Sequence, residues 1–229
     1  MTEYSLHAEI KERYSVLGGE VEVKVDDFIV DVLKDGLLIE VQTRNLSAIK
    51  KKLGKLLLTN QVRLVYPISK VKWIVYESNR GEFIKKRKSP KRQKTVELFI
   101  ELVHLSDLIN DKNFSFEVLL IEEEELRCDD GKGSWRRRGI SIKDRKLLKI
   151  LDRIVFEDRT DFLKILPDNL GMSFTNKVLA KELGISIRLA QKITYCLRKM
   201  NVLIIDGKTK RELLFRVRKE VSDHGCVIE

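Results

Sequence analysis

The segment that most constrains the fold is residues 28–42, FIVDVLKDGLLIEVQ, because it predicts a β-hairpin. Two apolar, β-branched runs flank a central Asp-Gly pair, and this arrangement is a strong short-range signal for a two-residue hairpin loop. Counting outward from the loop places Asp31 opposite Glu40. Side chains alternate between the two faces of a strand, so Asp31, Glu40 and Gln42 are predicted to project from one face of the hairpin.

The opposed carboxylates of Asp31 and Glu40 predict a metal site. Like charges directly opposite each other destabilise a sheet. A divalent cation between them removes this repulsion, because hard cations take carboxylate oxygens and usually keep several waters. A register slipped by one residue, or a three-residue loop, would place the two carboxylates on different faces, where solvated acidic residues are common. The spacing alone leaves both interpretations open.

The same residues resemble the motif of the PD-(D/E)XK nuclease superfamily, which has the restriction-endonuclease-like fold. That motif has an Asp at the end of one strand and Glu-x-Lys on the next. Asp31 and Glu40 match it, Gln42 stands at the Lys position, and Val30 stands where the pattern has Pro. The resemblance covers about residues 1–125. It implies metal-dependent phosphodiester hydrolysis, with Asp31 and Glu40 as ligands of Mg2+ or Mn2+.

The departure at Gln42 bears on catalysis, since the superfamily Lys is thought to position the attacking water and to offset negative charge. Some restriction endonucleases resemble this chain in carrying Gln at this position. A neutral amide can orient water but cannot neutralise charge, so we expect Lys24 or Arg44 to supply the charge. In the resembled superfamily an acid on the first helix reaches the metal, and Glu9 is the candidate here. His7 is expected to pack rather than to catalyse.

Hydrophobic periodicity predicts an α/β fold for the first part of the chain. The predicted elements, in chain order, are helix 3–16, strand 20–25, strands 28–33 and 37–42, helix 46–58, strands 62–66 and 72–75, helices 95–102 and 107–109, and strand 114–121. The order αβββαβ is the core order of the resembled restriction-endonuclease-like fold. The glycine- and arginine-rich residues 128–139 predict a linker, which sets the first domain at residues 1–139.

A basic segment at residues 85–94, KKRKSPKRQK, carries seven Lys and Arg side chains within a globular pattern. Such a block is commonly a solvated, mobile loop. The formal net charge of +10 favours an acidic polymer as partner. We therefore expect a loop lying against phosphates. Its predicted contact residues are Lys85, Lys86, Arg87, Lys88, Lys91 and Arg92.

The remaining residues, 140–229, are predicted to form a second, smaller domain. Helices are predicted at 143–156, before 183 and at 187–200, followed by a hairpin of 202–205 with 213–217. The run TNKVLAKELGISIRLAQKITYCLRKMNVL resembles the winged-helix form of the helix-turn-helix, covering about residues 143–218. The start of a recognition helix normally enters the major groove. The predicted nucleic-acid contacts on the third helix are Arg188, Gln191, Lys192 and Arg198. Protein docking or dimerisation is the alternative use of such a domain.

Composition narrows the function classes further. The three cysteines are odd in number and far apart, which indicates neither a zinc site nor a disulfide framework and fits a reducing cytoplasm. The N-terminus carries no long apolar run, so we expect neither a signal peptide nor a membrane span. We therefore predict a cytoplasmic, metal-dependent nuclease that binds double-stranded DNA. Three alternatives stay open: a non-catalytic DNA-binding or regulatory protein with the nuclease fold as scaffold, an RNA substrate, and a homodimer.

Overall fold

The computed structural model describes residues 4–218, which form two compact units. The first unit ends at Asp158 and the second begins at Arg159. The predicted helix start at residue 3, the end of the predicted second domain at 219–229, and Cys226 lie outside the described residues. Among residues 4–218, no helix has the length and apolarity needed to span a bilayer.

The first unit is a mixed α/β domain dominated by its sheet. Its elements are α1 (Ser5–Val16), β1 (Glu20–Val25), β2 (Phe28–Lys34), β3 (Leu37–Val41), α2 (Lys50–Leu56), β4 (Val62–Glu77), β5 (Phe83–Lys88), α3 (Phe99–Leu102), β6 (Phe114–Asp129) and β7 (Ile140–Phe156). Single 3₁₀ turns at Leu46–Ile49, Thr95–Leu98, Val103–Leu105 and Trp135–Arg137 complete the path. The order of elements confirms the α/β class and the predicted αβββαβ succession.

Seven strands form one sheet in the order β1-β2-β3-β4-β6-β7, with β5 paired to the distal half of β4. β4 runs parallel to β3 and β6, and the other pairs are antiparallel. The predicted hairpin forms with the predicted register, Leu33 opposite Leu38. Its loop residues Asp35 and Gly36 have φ of 49° and 80°, the left-handed pair that matches the twist of two-residue hairpins.

The two helices nearest the hairpin pack on opposite faces of the sheet. Leu6, Ile10 and Tyr14 form the buried stripe of α1 and pack in one cluster with Val41 and Val65. Glu40, the neighbour of Val41, contacts Lys52 of α2 instead. Successive side chains of a strand point to opposite faces, so α2 lies over the face that carries Glu40.

Strands β4 and β5 of the first unit differ from the sequence prediction, and the predicted helix at 107–109 is a turn. Residues 62–66 and 72–75 belong to the single strand β4, which stays paired to β6 through a bulge at Lys70. The basic segment 85–94 was predicted to be a loop, but its first half lies in β5. Residues 83–88 pair antiparallel with 73–77 of β4, so the ladder of β4 orders this segment despite its charge.

The prediction of a helix at 143–156 was wrong, because these residues form the edge strand β7. Three of its residues, Lys143, Leu148 and Leu151, have no partner on β6, and the register shifts at each. Each bulge inserts one residue and resets the alternation of faces. The apolar spacing therefore imitates a helix. Of the residues predicted as a linker, 128 and 129 belong to β6 and 130–139 form the β6–β7 connection. The boundary between the units lies after Asp158 rather than at 139.

Within its described residues, 159–218, the second unit contains a 3₁₀ segment, two helices and a hairpin. Its elements are Arg159–Ile165, α4 (Asn176–Leu183), α5 (Ile187–Lys199), β8 (Leu203–Lys208) and β9 (Leu213–Val217). Thr175 and Ser186 begin α4 and α5, where their hydroxyls accept hydrogen bonds from Val178 N and Leu189 N. Both residues are therefore N-caps. The predicted terminal hairpin is likewise present.

Candidate functional site

The carboxylate of Asp31 occupies the point where β2 and β3 diverge. Pairing between these strands extends from Lys34–Leu37 to Val32–Ile39. Beyond it, Asp31 Oδ2 accepts a hydrogen bond of 2.8 Å from the Val41 N–H. His7 of α1 closes the other side, with Nε2 at 3.2 Å from Asp31 Oδ2 and 2.9 Å from the Val41 carbonyl. Because both partners are acceptors, Nε2 carries the proton.

Glu40 lies beside Asp31 and is 1% exposed. Its Oε1 forms an ion pair with the ammonium of Lys52, which is contributed by α2. That oxygen is fully buried and makes no hydrogen bond of regular geometry. Lys52 also donates a hydrogen bond of 2.5 Å to the carbonyl of Ile29 on β2. The ammonium is thus held between the two strands that carry the carboxylates.

The predicted residues Asp31, Glu40 and Gln42 line one cavity of about 260 Å³, as the hairpin register required. The Gln42 N–H donates to Val65 on β4 over 2.9 Å, which fixes the backbone at the end of β3. Lys52 lines the same cavity, together with Ala48 and Ile49. The cavity therefore combines two carboxylates, an amide and an ammonium.

The two carboxyl groups differ in acidity. Burial alone would raise the pKa of Asp31, but the hydrogen bonds from His7 and the Val41 N–H outweigh it and lower that pKa. Burial and the neighbouring charge of Asp31 raise the pKa of Glu40 to about 7, and Lys52 offsets only part of this. Near neutral pH, Asp31 is ionised while Glu40 titrates.

The donor set of this cavity fits Mg2+ better than a transition metal. Among residues 4–218, no three His, Cys, Asp or Glu side chains gather around one point. Mg2+ does not need such a cage, because it commonly binds one or two carboxylates and keeps waters or phosphate oxygens. Asp31 and Glu40 supply the two carboxylates. The Val41 carbonyl oxygen lies near Asp31, because His7 Nε2 contacts both of them. The buried Glu40 Oε1 is ion-paired with Lys52, so this oxygen already lies beside a positive charge.

Three residues that were predicted at this site lie elsewhere. Glu9 accepts a hydrogen bond of 2.5 Å from the Leu147 N–H on β7 and lines a different cavity, so it does not reach the carboxylates. Lys24 is exposed on β1. The guanidinium of Arg44 stacks 4.8 Å from the ring centre of Tyr4.

Two site residues, His7 and Lys52, were not predicted. His7 was expected only to pack, yet it binds Asp31 directly. Lys52 lies on α2, within the predicted helix 46–58, but it was not assigned to the site. Its position between the buried residues Ile49 and Leu53 was the available signal, because a residue flanking the buried stripe can reach the sheet with a long side chain.

The comparison with known proteins adds a family but no activity. Residues 4–157 match a family model described as "Domain of unknown function (DUF8091)". The chain belongs to the DUF8091 family. An uncharacterized protein of Treponema pallidum (strain Nichols) is 32% identical over 216 residues, which cover 93% of this chain and 85% of that protein. No solved structure matches the chain. The DUF8091 match ends beside the unit boundary at Asp158 and contains the whole candidate site.

The basic strand β5 of the DUF8091 domain is exposed along its full length. Lys86 and Lys88 lie 5.4 Å and 5.5 Å from the ring centre of Trp73, and Lys85 lies 4.9 Å from that of Tyr76. The guanidinium of Arg87 donates to the Tyr76 hydroxyl and lowers its pKa.

Two of the lysines predicted to contact phosphates form ion pairs with acidic side chains of the protein. Lys86 pairs with Glu124 over 2.7 Å, and Lys91 pairs with Glu97 over 3.6 Å. Arg92 is exposed beyond the end of β5. The segment is therefore an ordered basic strand with one aromatic ring of β4 beside its cations on each face.

In the second unit, the predicted contact residues lie along one side of α5. Arg188, Gln191 and Arg198 are exposed, and Lys192 is half-buried beside them. Tyr195 lies in the same stripe and is 42% exposed. The spacing of three and four residues aligns these side chains on one helix face. The opposite face is apolar and packs through Ile193 and Leu197.

Proposed function

We propose that the DUF8091 domain of this chain is a metal-dependent nuclease of the PD-(D/E)XK type. The observation that carries the proposal is that Asp31, Glu40 and Lys52 converge in one cavity from two adjacent strands and a helix. The PD-(D/E)XK motif uses two carboxylates and the ammonium of a Lys on the strand that carries the Glu. Here the ammonium comes from Lys52 of α2, so Gln42 is not required to carry a positive charge.

Each residue of the cavity has a distinct role in this proposal. Asp31 and Glu40 hold the cation, and His7 fixes the orientation of the Asp31 carboxylate. When bound, Mg2+ or Mn2+ supplies Lewis-acid polarisation of the scissile phosphate and activation of a water. Lys52 provides positive charge where negative charge develops in the transition state. Gln42 orients the attacking water through its amide.

A nucleic acid is the substrate class that the charge of the chain favours. The formal net charge is +10, and the basic strand β5 belongs to the same sheet as the candidate site. Lys and Arg neutralise phosphates and release counterions, a contribution that does not depend on sequence. Double-stranded DNA is the proposed partner, in which the exposed stripe of α5 would contact the groove.

The deciding experiment is a cleavage assay on double-stranded DNA with Mg2+ or Mn2+, using the whole chain. Asp31→Asn and Lys52→Met should each reduce the rate by about 100-fold or more, since each removes a charge used in the transition state. Lys51→Met is the matched control, because Lys51 is the exposed neighbour on the same helix, and it should keep full activity.

A charge swap sharpens this test. Gln42→Lys in the Lys52→Met background should restore part of the activity, because it returns the ammonium to the strand position of the superfamily motif. Equal activity of the Lys51→Met and Lys52→Met proteins would refute the role of Lys52. Absence of metal-dependent cleavage by the folded wild-type chain would refute the nuclease.

The second candidate function is DNA binding without catalysis. It is favoured by the cationic face of α5, whose N-terminal turn carries Arg188 and Gln191 on its exposed side. In this case the winged-helix-like unit binds DNA and the DUF8091 domain is a scaffold. DNA binding in EDTA that persists in a chain without cleavage activity would select this alternative.

A further inference from the structure

The connection between β6 and β7 presents one aromatic ring to solvent at the far end of the sheet. Trp135 is 83% exposed, although indole rings usually bury most of their surface. The guanidinium of Arg136 lies 5.7 Å from its ring centre. The residues that follow, Arg137 and Arg138, continue the positive charge. We call residues 130–139 the Trp tip.

Backbone and side-chain contacts hold the Trp tip in a fixed shape. The Gly133 N–H donates to the Gly139 carbonyl over 2.7 Å, and Arg137 Nε donates to the Ile140 carbonyl over 3.2 Å. The carboxylate of Asp130 accepts from Ser141 over 2.9 Å and pairs with Lys143 over 2.6 Å. A side chain at Gly133 would meet the Ile140 carbonyl oxygen at 1.8 Å. The indole is therefore exposed on a closed, ordered turn.

The Trp tip lies further along the direction of β4 than the candidate site, at the level where β5 begins. Glu77 of β4 pairs with Cys128 near the tip and with Phe83 at the start of β5, whereas Val65 pairs with Val41 at the site. The stretch of β4 between these two levels spans about 35 to 40 Å, roughly one turn of a DNA duplex.

Two cations of β5 between those two levels, Lys86 and Lys88, lie on the face that carries Glu40. β6 is paired to β4 without a bulge of its own, so Phe116 and Glu124 point to one face. Phe116 lies level with Leu64 and thereby with Glu40. Glu124 lies level with Trp73 and pairs with Lys86. A polyanion bound at the cavity and extending along the sheet would meet Lys86 and Lys88 before it reached the tip.

We propose that the Trp tip binds an unpaired base of a nucleic acid, by stacking on Trp135 while Arg136 and Arg138 contact the adjoining phosphates. Aromatic side chains stack on every base, and this contact needs a base outside a duplex. The inference rests on the proposed function as a nucleic-acid enzyme. It narrows the substrate class to nucleic acids with a single-stranded segment about one helical turn from the cleaved bond.

The composition of the tip favours a nucleic acid over a lipid surface. Trp135 is the one apolar side chain among residues 130–139. Stable membrane attachment draws on a larger apolar area or a second anchor. Stacking on a base, in contrast, needs a single ring with cationic neighbours.

The test uses the fluorescence of Trp135 in the whole chain with EDTA present, so that cleavage plays no part. The chain has two tryptophans, and Trp73→Phe leaves Trp135 as the reporter. Oligo(dT) or oligo(U) should quench its emission strongly, and a blunt duplex of equal length should quench it weakly. In the wild-type background, Trp135→Ala should weaken oligo(dT) binding roughly 5- to 30-fold, whereas Trp135→Phe should retain most of it.

The controls separate this inference from the nuclease itself. Asp31→Asn should abolish cleavage and leave the quenching unchanged. Loss of cleavage alone therefore does not contradict base binding at the Trp tip. Unchanged emission with oligo(dT) and oligo(U), from a chain that still cleaves duplex DNA, would refute base binding at the Trp tip but not the nuclease activity. A blue shift with vesicles of phosphatidylcholine and phosphatidylglycerol, without quenching by either oligonucleotide, would overturn it in favour of a membrane surface.

Discussion

A carboxyl group at a site like that of Glu40 is costly for the folded chain. Glu40 is buried next to another carboxylate, and its ion pair with Lys52 offsets only part of the cost of burying a charge. Functional sites often retain groups of this kind, because a charge that is poorly satisfied in the free protein is available for a ligand. The free energy of unfolding of the first unit should therefore depend on pH through the ionisation of Glu40.

Replacing Glu40 by Gln should stabilise the metal-free protein at pH 8 more than at pH 5. Burial raises the pKa of Glu40 from 4.5 to about 7, so the folded state holds a proton that the unfolded state releases within this window. Stability is therefore lost as pH rises through the window. Glu40→Gln avoids this loss, and the difference in unfolding free energy between the two pH values should be about 1 to 3 kcal/mol.

Urea denaturation of wild type and variant in EDTA measures this difference. Glu12→Gln, a change at an exposed position of α1, should leave the pH dependence of wild type unaltered. Parallel stability profiles for the Glu40→Gln and wild-type proteins would show that the carboxyl group at this position has an ordinary pKa.

At the scale of single elements, local signals were sufficient where the chain follows a regular period. The Asp-Gly loop fixed the register of β2 and β3, and the register placed Asp31, Glu40 and Gln42 around one cavity. β7 was misjudged because its bulges break the two-residue period. Lys52 could not be assigned because its role depends on how α2 packs over Glu40, a tertiary contact that no local pattern encodes.

Two glycines should respond in opposite directions to substitution by alanine. Gly54 lies inside α2, and an added Cβ would meet only Leu108 Cδ2 at 3.8 Å. Gly54→Ala should therefore stabilise the chain by about 0.5 to 1 kcal/mol. Gly133→Ala should destabilise it by more than about 1 kcal/mol, because its Cβ would overlap the Ile140 backbone. Denaturation midpoints report both, and a shift of the same sign in the two variants would contradict these packing assignments.

At the scale of the whole molecule, the basic surface of the first unit belongs to a sheet that extends well past the candidate site. Strands β4, β6 and β7 continue beyond the end of β3, and β5 joins them there. The sheet thus carries the cavity at one level and cations at the next. A substrate longer than the cavity would be held through phosphates along this extension.

Removing Lys86 and Lys88 together should flatten the salt dependence of DNA binding. Each phosphate contact contributes about 0.9 to the slope of log affinity against log salt, so Lys86→Gln/Lys88→Gln should lower the slope by about one to two. The comparison variant Lys24→Gln/Lys112→Gln removes the same charge from exposed positions elsewhere in the unit. Fluorescence anisotropy in EDTA measures both, and equal slopes for the two double variants would remove β5 from the interface.

The bulges of β7 also bear on how the protein behaves in a crowded solution. A long strand at the margin of a sheet offers unpaired N–H and C=O groups, and a straight one recruits further strands into aggregates. β7 has 17 residues, but its irregular positions at Lys143, Leu148 and Leu151 disrupt the even spacing that an incoming strand needs. The same bulges that gave β7 a helix-like spacing in the sequence make it a poor template for strand addition. They therefore disfavour aggregation along this edge of the sheet.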